Sequence, residues 1–251
     1  MPTAGRRPTP RGVAAEVVRR LAAAGDPAVA RQSATYFKET ADFSAYGVRT
    51  AQVRAVTRDA FAWVRDTWRV ADATACCEFL SARSQFEAKA VGVLLLGRYR
   101  RTFPAGLLQT VRRWVLEGRF ANWAAVDLVS CELLTPLVER RESAARIVRG
   151  WARSRQRWLR RAAAVTFVPL ARAGRRLDDA YAVVVALRGD REDLSQKASG
   201  WLLREAGKTD PARLEEFLLA HGPTLPRTTV RYAIERFPPA RRSRLLRATR
   251  A

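Results

Sequence analysis

Asn122–Leu134 reads NWAAVDLVSCELL, and its apolar residues return at three- and four-residue steps, the spacing of one face of an α-helix. Related texture recurs in FEAKAVGVLLLGR from Phe86, WLRRAAAVTFVPL from Trp158, QKASGWLLREAGK from Gln196 and RTTVRYAIERF from Arg227. These starts lie 31 to 38 residues apart, the period of a solenoid built from helix pairs. The expected fold is therefore all-α: a superhelical solenoid of antiparallel helix pairs, whose equivalent helices line a concave face. Chance similarity among Ala-rich helices is the competing explanation.

Helical spacing also marks Val13–Leu21, Val53–Val64, Phe86–Leu96, Trp123–Leu134, Trp158–Val168, Ala198–Leu203 and Val230–Phe237, and no segment alternates like a strand. Gly25-Asp26-Pro27, Gly106, Gly174, Thr209-Asp210-Pro211 and Gly222-Pro223 punctuate the pattern. Residues 1–10 lack periodicity and read as a disordered basic tail, leaving residues 11–251 as a single domain. Pro169 is expected to kink or end its helix, because proline removes a donor and crowds the preceding turn.

Charge points to the partner. The chain carries 46 Lys+Arg against 24 Asp+Glu, a formal +22, and only four of the basic residues are Lys. Guanidinium forks suit bidentate contacts to phosphate, so a polyanion is the natural partner, although an Arg- and Ala-rich genome would give the same count. The concave face, if basic, would be a groove for nucleic acid.

Other classes fall away. Cys76, Cys77 and Cys131 show no paired spacing, against a disulfide framework and in favour of a reducing compartment. No apolar run is long enough to cross a bilayer and no signal peptide is evident, so a soluble, cytoplasmic protein is expected. His221 is the single histidine, without spaced Cys or acidic partners, so no metal and no cofactor are expected.

Trp123 and Asp127 are four residues apart and share a helix face. Arg161 follows Trp123 by 38 residues and Trp201 follows Arg161 by 40, steps close to the repeat period, so all four can address one point. Each also has a plainer reading, the tryptophans as core and Asp127 as an ion-pair partner. Together they suit the loss of a cationic alkylated purine, which builds positive charge on the sugar. A carboxylate can stabilise that charge and orient water, and aromatic faces can hold a cationic centre. Arg161 would hold the neighbouring phosphate.

Along nearly all of this length the chain resembles the DNA alkylation repair family of bacterial 3-methyladenine and 7-methylguanine glycosylases with HEAT-like repeats. The resemblance is carried by Tyr36–Arg54 (YFKETADFSAYGVRTAQVR), Asn122–Ser130, Trp158–Phe167, Gln196–Pro211 and Pro226–Pro238. It places the family's catalytic aspartate on Asp127, its tryptophans on Trp123 and Trp201, and its arginine on Arg161. It implies double-stranded DNA containing N3- or N7-alkylated purines as substrate and monofunctional glycosidic hydrolysis without base flipping. It further implies tolerance of bulky adducts, as in self-resistance to DNA-alkylating natural products. A basic residue expected two turns beyond the arginine is here Pro169.

Arg157, Arg160 and Arg161 fall near one helical stripe, joined by Arg153 if the helix starts that early, and would track phosphates. Tyr36 and Lys38 are further DNA-binding candidates in a segment that, by resemblance, can close over DNA. The expected protein is a bacterial, nucleoid-associated monomer. The rival is a non-catalytic repeat protein that binds damaged or branched DNA, and a scaffold for acidic proteins or RNA is a third reading.

Overall fold

The computed structural model describes residues 7–37 and 43–250. Among them every regular element is helical, and the only sheet-like pairing is one isolated parallel bridge between Ser44 and Gln85. The chain divides into two compact units between Leu133 and Leu134. No described helix is long and apolar enough to cross a membrane.

The first unit contains α1 (Pro10–Ala23), α2 (Pro27–Ala34), a 3-10 turn (Thr35–Phe37), α3 (Thr50–Val64), α4 (Val70–Ser81), α5 (Phe86–Gly97), α6 (Leu107–Leu116) and α7 (Trp123–Val129). Thr9 caps α1 by accepting from the Gly12 amide at 3.1 Å, and Asp26 caps α2. In each case proline follows at the first helical position, where its missing N–H costs nothing. The Gly25-Asp26-Pro27 break is thus one helix's end and the next one's start.

Helix α5 is apolar almost all round, and Ala88, Val91, Val93, Leu95 and Leu96 are buried as it packs against α1, α3, α4 and α7. Gly92 lets α4 come close: a Cβ there would meet Leu80 Cβ at 3.0 Å and Cys77 Cα at 3.3 Å. Cys76 and Cys77 are buried beside this crossing as packing groups, and burial pushes the Cys76 thiol up to about 12. Residues 1–6 of the expected tail lie outside the described residues. Residues 7–9 are tied down: Trp68 Nε1 donates to Pro8 O at 2.8 Å, and Arg7 pairs with Asp72 at 2.7 Å.

A buried carboxylate fixes the approach to α3. Glu87 accepts from the amides of Tyr46 (2.9 Å), Gly47 (2.8 Å) and Val48 (3.0 Å). Gly47 has φ of 82°, and any Cβ there would overlap the Asp26 carbonyl oxygen, so only glycine fits.

The second unit contains α8 (Thr135–Arg140), α9 (Glu142–Gly150), α10 (Arg157–Arg172), α11 (Leu177–Ala186), α12 (Asp193–Ala206), α13 (Pro211–His221), α14 (Arg227–Ala233) and α15 (Pro239–Ala248). Helices α8, α10, α12 and α14 pack side by side as one row, while α9 meets α11 and α13 meets α15 in another. The quoted recurring segments fall on α10, α12 and α14 here, and on α5 and α7 in the first unit. The fold is all-α and of the helix-pair kind that an α-solenoid uses.

One local expectation is narrowed and another changes. Pro169 does not end α10, which continues to Arg172. Nearby, the Thr135 hydroxyl donates to Thr166 O and the Thr166 hydroxyl to Ala162 O, both at 2.7 Å, whereas the carbonyl that Pro169 deprives of its helical donor is that of Val165. Helix α14 stops at Ala233 rather than reaching Phe237, in keeping with the restriction that Pro238 places on Phe237.

Replacing Glu87 by Ala leaves the buried amides of Gly47 and Val48 unsatisfied, at about 1–3 kcal/mol each. Urea unfolding should show a loss of roughly 3 kcal/mol or more, and an unchanged midpoint would contradict the anchoring role.

Candidate functional site

Helix α7 is short, and its start is built with care. Asn122 caps it by accepting from the Ala125 amide at 2.9 Å, which places Trp123 in the first turn and Asp127 one turn later on the same face. Asp127 is half-buried. Immediately after Val129 the chain passes into a π-helical turn, Ser130–Leu134, which breaks the α-helical ladder just beyond the carboxylate.

Trp123 keeps 36% of its surface exposed and stacks on Phe37, with ring centroids 5.3 Å apart and planes 21° apart. Its Nε1 donates to Tyr36 O at 3.4 Å. Phe37 in turn stacks on Phe43 at 3.9 Å, and both lie beside Phe86 at the start of α5. The indole is therefore the outermost ring of a four-ring cluster. Tyr36 is 69% exposed, so its side chain is available to a ligand while its carbonyl orients Trp123. Lys38 lies outside the described residues.

The loop that delivers α7 is braced from behind. Lys89, on α5, donates to Arg119 O at 2.5 Å and to Ser81 O at 3.1 Å. The Arg119 guanidinium pairs with Glu78 (2.6 Å) and Glu117 (2.6 Å) and donates to Glu78 O at 3.1 Å. Glu78 also takes Arg113 (2.8 Å) and Trp114 Nε1 (2.7 Å). Burial alone would raise the Glu78 carboxyl, but these donors outweigh it and hold it below the usual range. Gly118, with φ of 75°, makes the turn between α6 and this brace. Burial, aided by the Arg119 charge, lowers the Lys89 ammonium to about 8.

In the second unit, Arg157, Arg160 and Arg161 open α10, which Gln156 caps by accepting from Leu159 N at 2.9 Å. Arg153 is not on this stripe, because it ends a separate 3-10 turn, Trp151–Arg153. Arg161 is only 6% exposed, and its Nη1 donates to Leu194 O, in the first turn of α12, at 2.5 Å. Arg160 is engaged with the protein itself: Nε meets Asp190 Oδ2 at 2.7 Å, and Nη1 reaches Ser154 O (3.1 Å) and Arg155 O (3.0 Å). The Arg160 and Glu192 N–H donors keep the Asp190 carboxyl below its ordinary range despite burial, which pushes the other way. Arg157 lies over the Trp158 ring at 4.5 Å and is half-exposed.

Trp201 is half-buried on α12, the neighbour of α10. Gly200 before it is required by packing: a Cβ there would lie 2.8 Å from Thr229 O, so α14 could not approach. Sequence reading thus located the polar and aromatic candidates on α7, α10 and α12. It missed the Phe37–Phe43–Phe86 cluster and the Lys89–Arg119 brace, since these pair residues far apart in the chain. Among the described residues no group of three or more His, Cys, Asp or Glu side chains could hold a metal ion.

The chain belongs to the DNA alkylation repair enzyme family, whose model matches residues 17–237 and so includes every candidate above. Its structure is similar to that of a predicted DNA alkylation repair enzyme from Enterococcus faecalis, with a TM-score of 0.74 over 86% of this chain and 97% of that one. At 18% identity, that likeness speaks to the fold alone. No curated protein sequence matches significantly. The family assigns the chain to repair of alkylated DNA, with DNA as substrate.

The brace makes a pH prediction. Lys89 titrates near 10.5 when unfolded and near 8 when folded, so between these values the unfolded chain holds the extra proton. Stability therefore gains a rising increment with pH through this window. Lys89→Met should lack it, seen as a stability difference between wild type and variant that changes from pH 8 to 10.5. Parallel pH profiles would refute the assignment.

Proposed function

We propose that this protein is a monofunctional DNA glycosylase that removes positively charged N3- or N7-alkylated purines from duplex DNA. The observation that carries the reading is the pairing on α7 of a half-buried carboxylate, Asp127, with a partly exposed indole, Trp123, one turn before it. Family membership supplies the alkylated-DNA context.

The chemistry follows from the leaving group. The C1′–N bond of a cationic purine breaks with its electron pair going to the base, which departs neutral. Positive charge then develops on the deoxyribose. Asp127 offsets that charge and accepts a hydrogen bond from the water whose oxygen bonds to C1′; the water's surplus proton passes to the carboxylate or to solvent. Trp123 and Trp201 present aromatic faces to the cationic centre, each such contact worth about 0.5–2 kcal/mol. Arg161 holds a phosphate next to the lesion, with Arg157, Arg160, Tyr36 and Lys38 as outer DNA contacts. The protein acts as a monomer, without metal or cofactor.

Flipping a base into a closed pocket is the usual route to base chemistry. Here recognition runs along the backbone, and charge on the lesion does part of the work that a pocket does elsewhere. Bulky adducts, including those of DNA-alkylating natural products, are then acceptable substrates.

Duplex DNA carrying 7-methylguanine, an N3-alkyladenine or a bulky N7 adduct tests the reading directly. Wild type should release base above the spontaneous rate. Asp127→Asn should lose release by about 10²-fold or more, the scale of one electrostatic group at a transition state, while binding DNA as before. Binding without release from any of these substrates would identify a non-catalytic binder instead.

A further inference from the structure

A second basic feature lies in the first unit, apart from the α7 residues. Arg54 and Arg58 on α3, with Arg98 and Arg100 just beyond the end of α5, line a cleft of about 240 Å³. One carboxylate, Glu132, lines it as well, against Gly97, where a Cβ would meet Glu132 Oε2 at 3.0 Å. Gly97 leaves room for the Glu132 carboxylate beside it.

Arg54, Arg58 and Arg98 differ from several other arginines of the unit. Arg19, Arg20, Arg113 and Arg119 are each paired with a carboxylate. By contrast, Arg54 and Arg58 are exposed and have no ion pair with a described residue, and Arg98 rests over the Phe61 ring at 5.6 Å. Stacking on a ring orients a guanidinium while leaving its in-plane donors open to an anion. Arg54 and Arg58 are one helical turn apart, about 6 Å along the axis. That span lies between one and two phosphate steps of a DNA strand, each about 3.4 Å of duplex axis.

From these observations we infer that the Arg54–Arg58–Arg98–Arg100 cleft is a phosphodiester-binding site that grips the backbone of the duplex. This rests on the reading of duplex DNA as the substrate. Its role is affinity and register, not bond cleavage, because phosphate contacts position a protein without reading the base. Glu132 tempers the cleft's charge, which limits how tightly undamaged DNA is held.

The test is the salt dependence of binding to an undamaged duplex, followed by single-turnover base release at saturating enzyme. Each lost phosphate contact should reduce the slope of log K against log salt by about 0.9, so Arg54→Ala with Arg58→Ala should flatten it by about 1.8. Arg54→Lys with Arg58→Lys should restore most of the slope, and Arg19→Ala with Arg20→Ala, removing paired arginines, should leave it nearly unchanged. Glu132→Gln should tighten binding. Base release at saturation should remain within about twofold of wild type in the alanine pair, since the lost contacts act mainly on binding. An unchanged slope in the alanine pair, with wild type binding normally and the circular dichroism of both intact, overturns the site alone. Failure of the wild type to bind duplex DNA overturns both the site and the glycosylase reading.

Discussion

Burial of helices side by side is the constraint on which everything else depends. Within the second unit, α10, α12 and α14 must approach closely enough to exclude water from Ala162, Ala163, Leu202, Leu203 and Val230. Gly200 is where that requirement is sharpest, because any side chain would strike Thr229 and Tyr232 on α14. Trp201 follows directly, so its location along α12 is inherited from a packing rule. In the first unit α5 plays the central part, buried on nearly every side, and α3, α4 and α7 take their positions from it.

Buried polar groups then refine what apolar packing leaves loose. Glu87 binds three successive loop amides, and Lys89, two residues along α5, holds the carbonyls of Ser81 and Arg119. One helix thus tethers both the segment leading to α3 and the loop leading to α7. These hydrogen bonds act in a partly desolvated setting where an unmade bond is costly, so they discriminate sharply between nearby backbone arrangements. Under the proposed reaction, this support would steady the helix that carries Asp127.

The excess of positive charge is not spread evenly in its consequences. Many guanidinium groups are committed internally: Arg160 to Asp190 and two carbonyls, Arg119 to Glu78 and Glu117, Arg172 to Glu205. Such arginines stabilise loops and helix ends. Under the proposed phosphodiester site, net charge would draw in the polyanion and the arginines without an ion pair would set where it rests.

By itself, the sequence determined the all-helical class, the helix-pair period and the residue types available for chemistry, because local periodicity and the Trp123–Asp127 spacing survive without knowledge of distant contacts. It also carried the family, whose model spans residues 17–237. Only the tertiary structure decided which arginines are engaged: Arg160 and Arg161 look alike in the string RWLRRAAA, yet one is bound to Asp190 and the other reaches Leu194. Likewise, nothing local to Trp123 foretells Phe37 stacked on it from 86 positions earlier, or Lys89 bracing the loop before it. Periodicity is a property of neighbours along the chain, whereas the orientation of a side chain is set by whatever the fold brings against it.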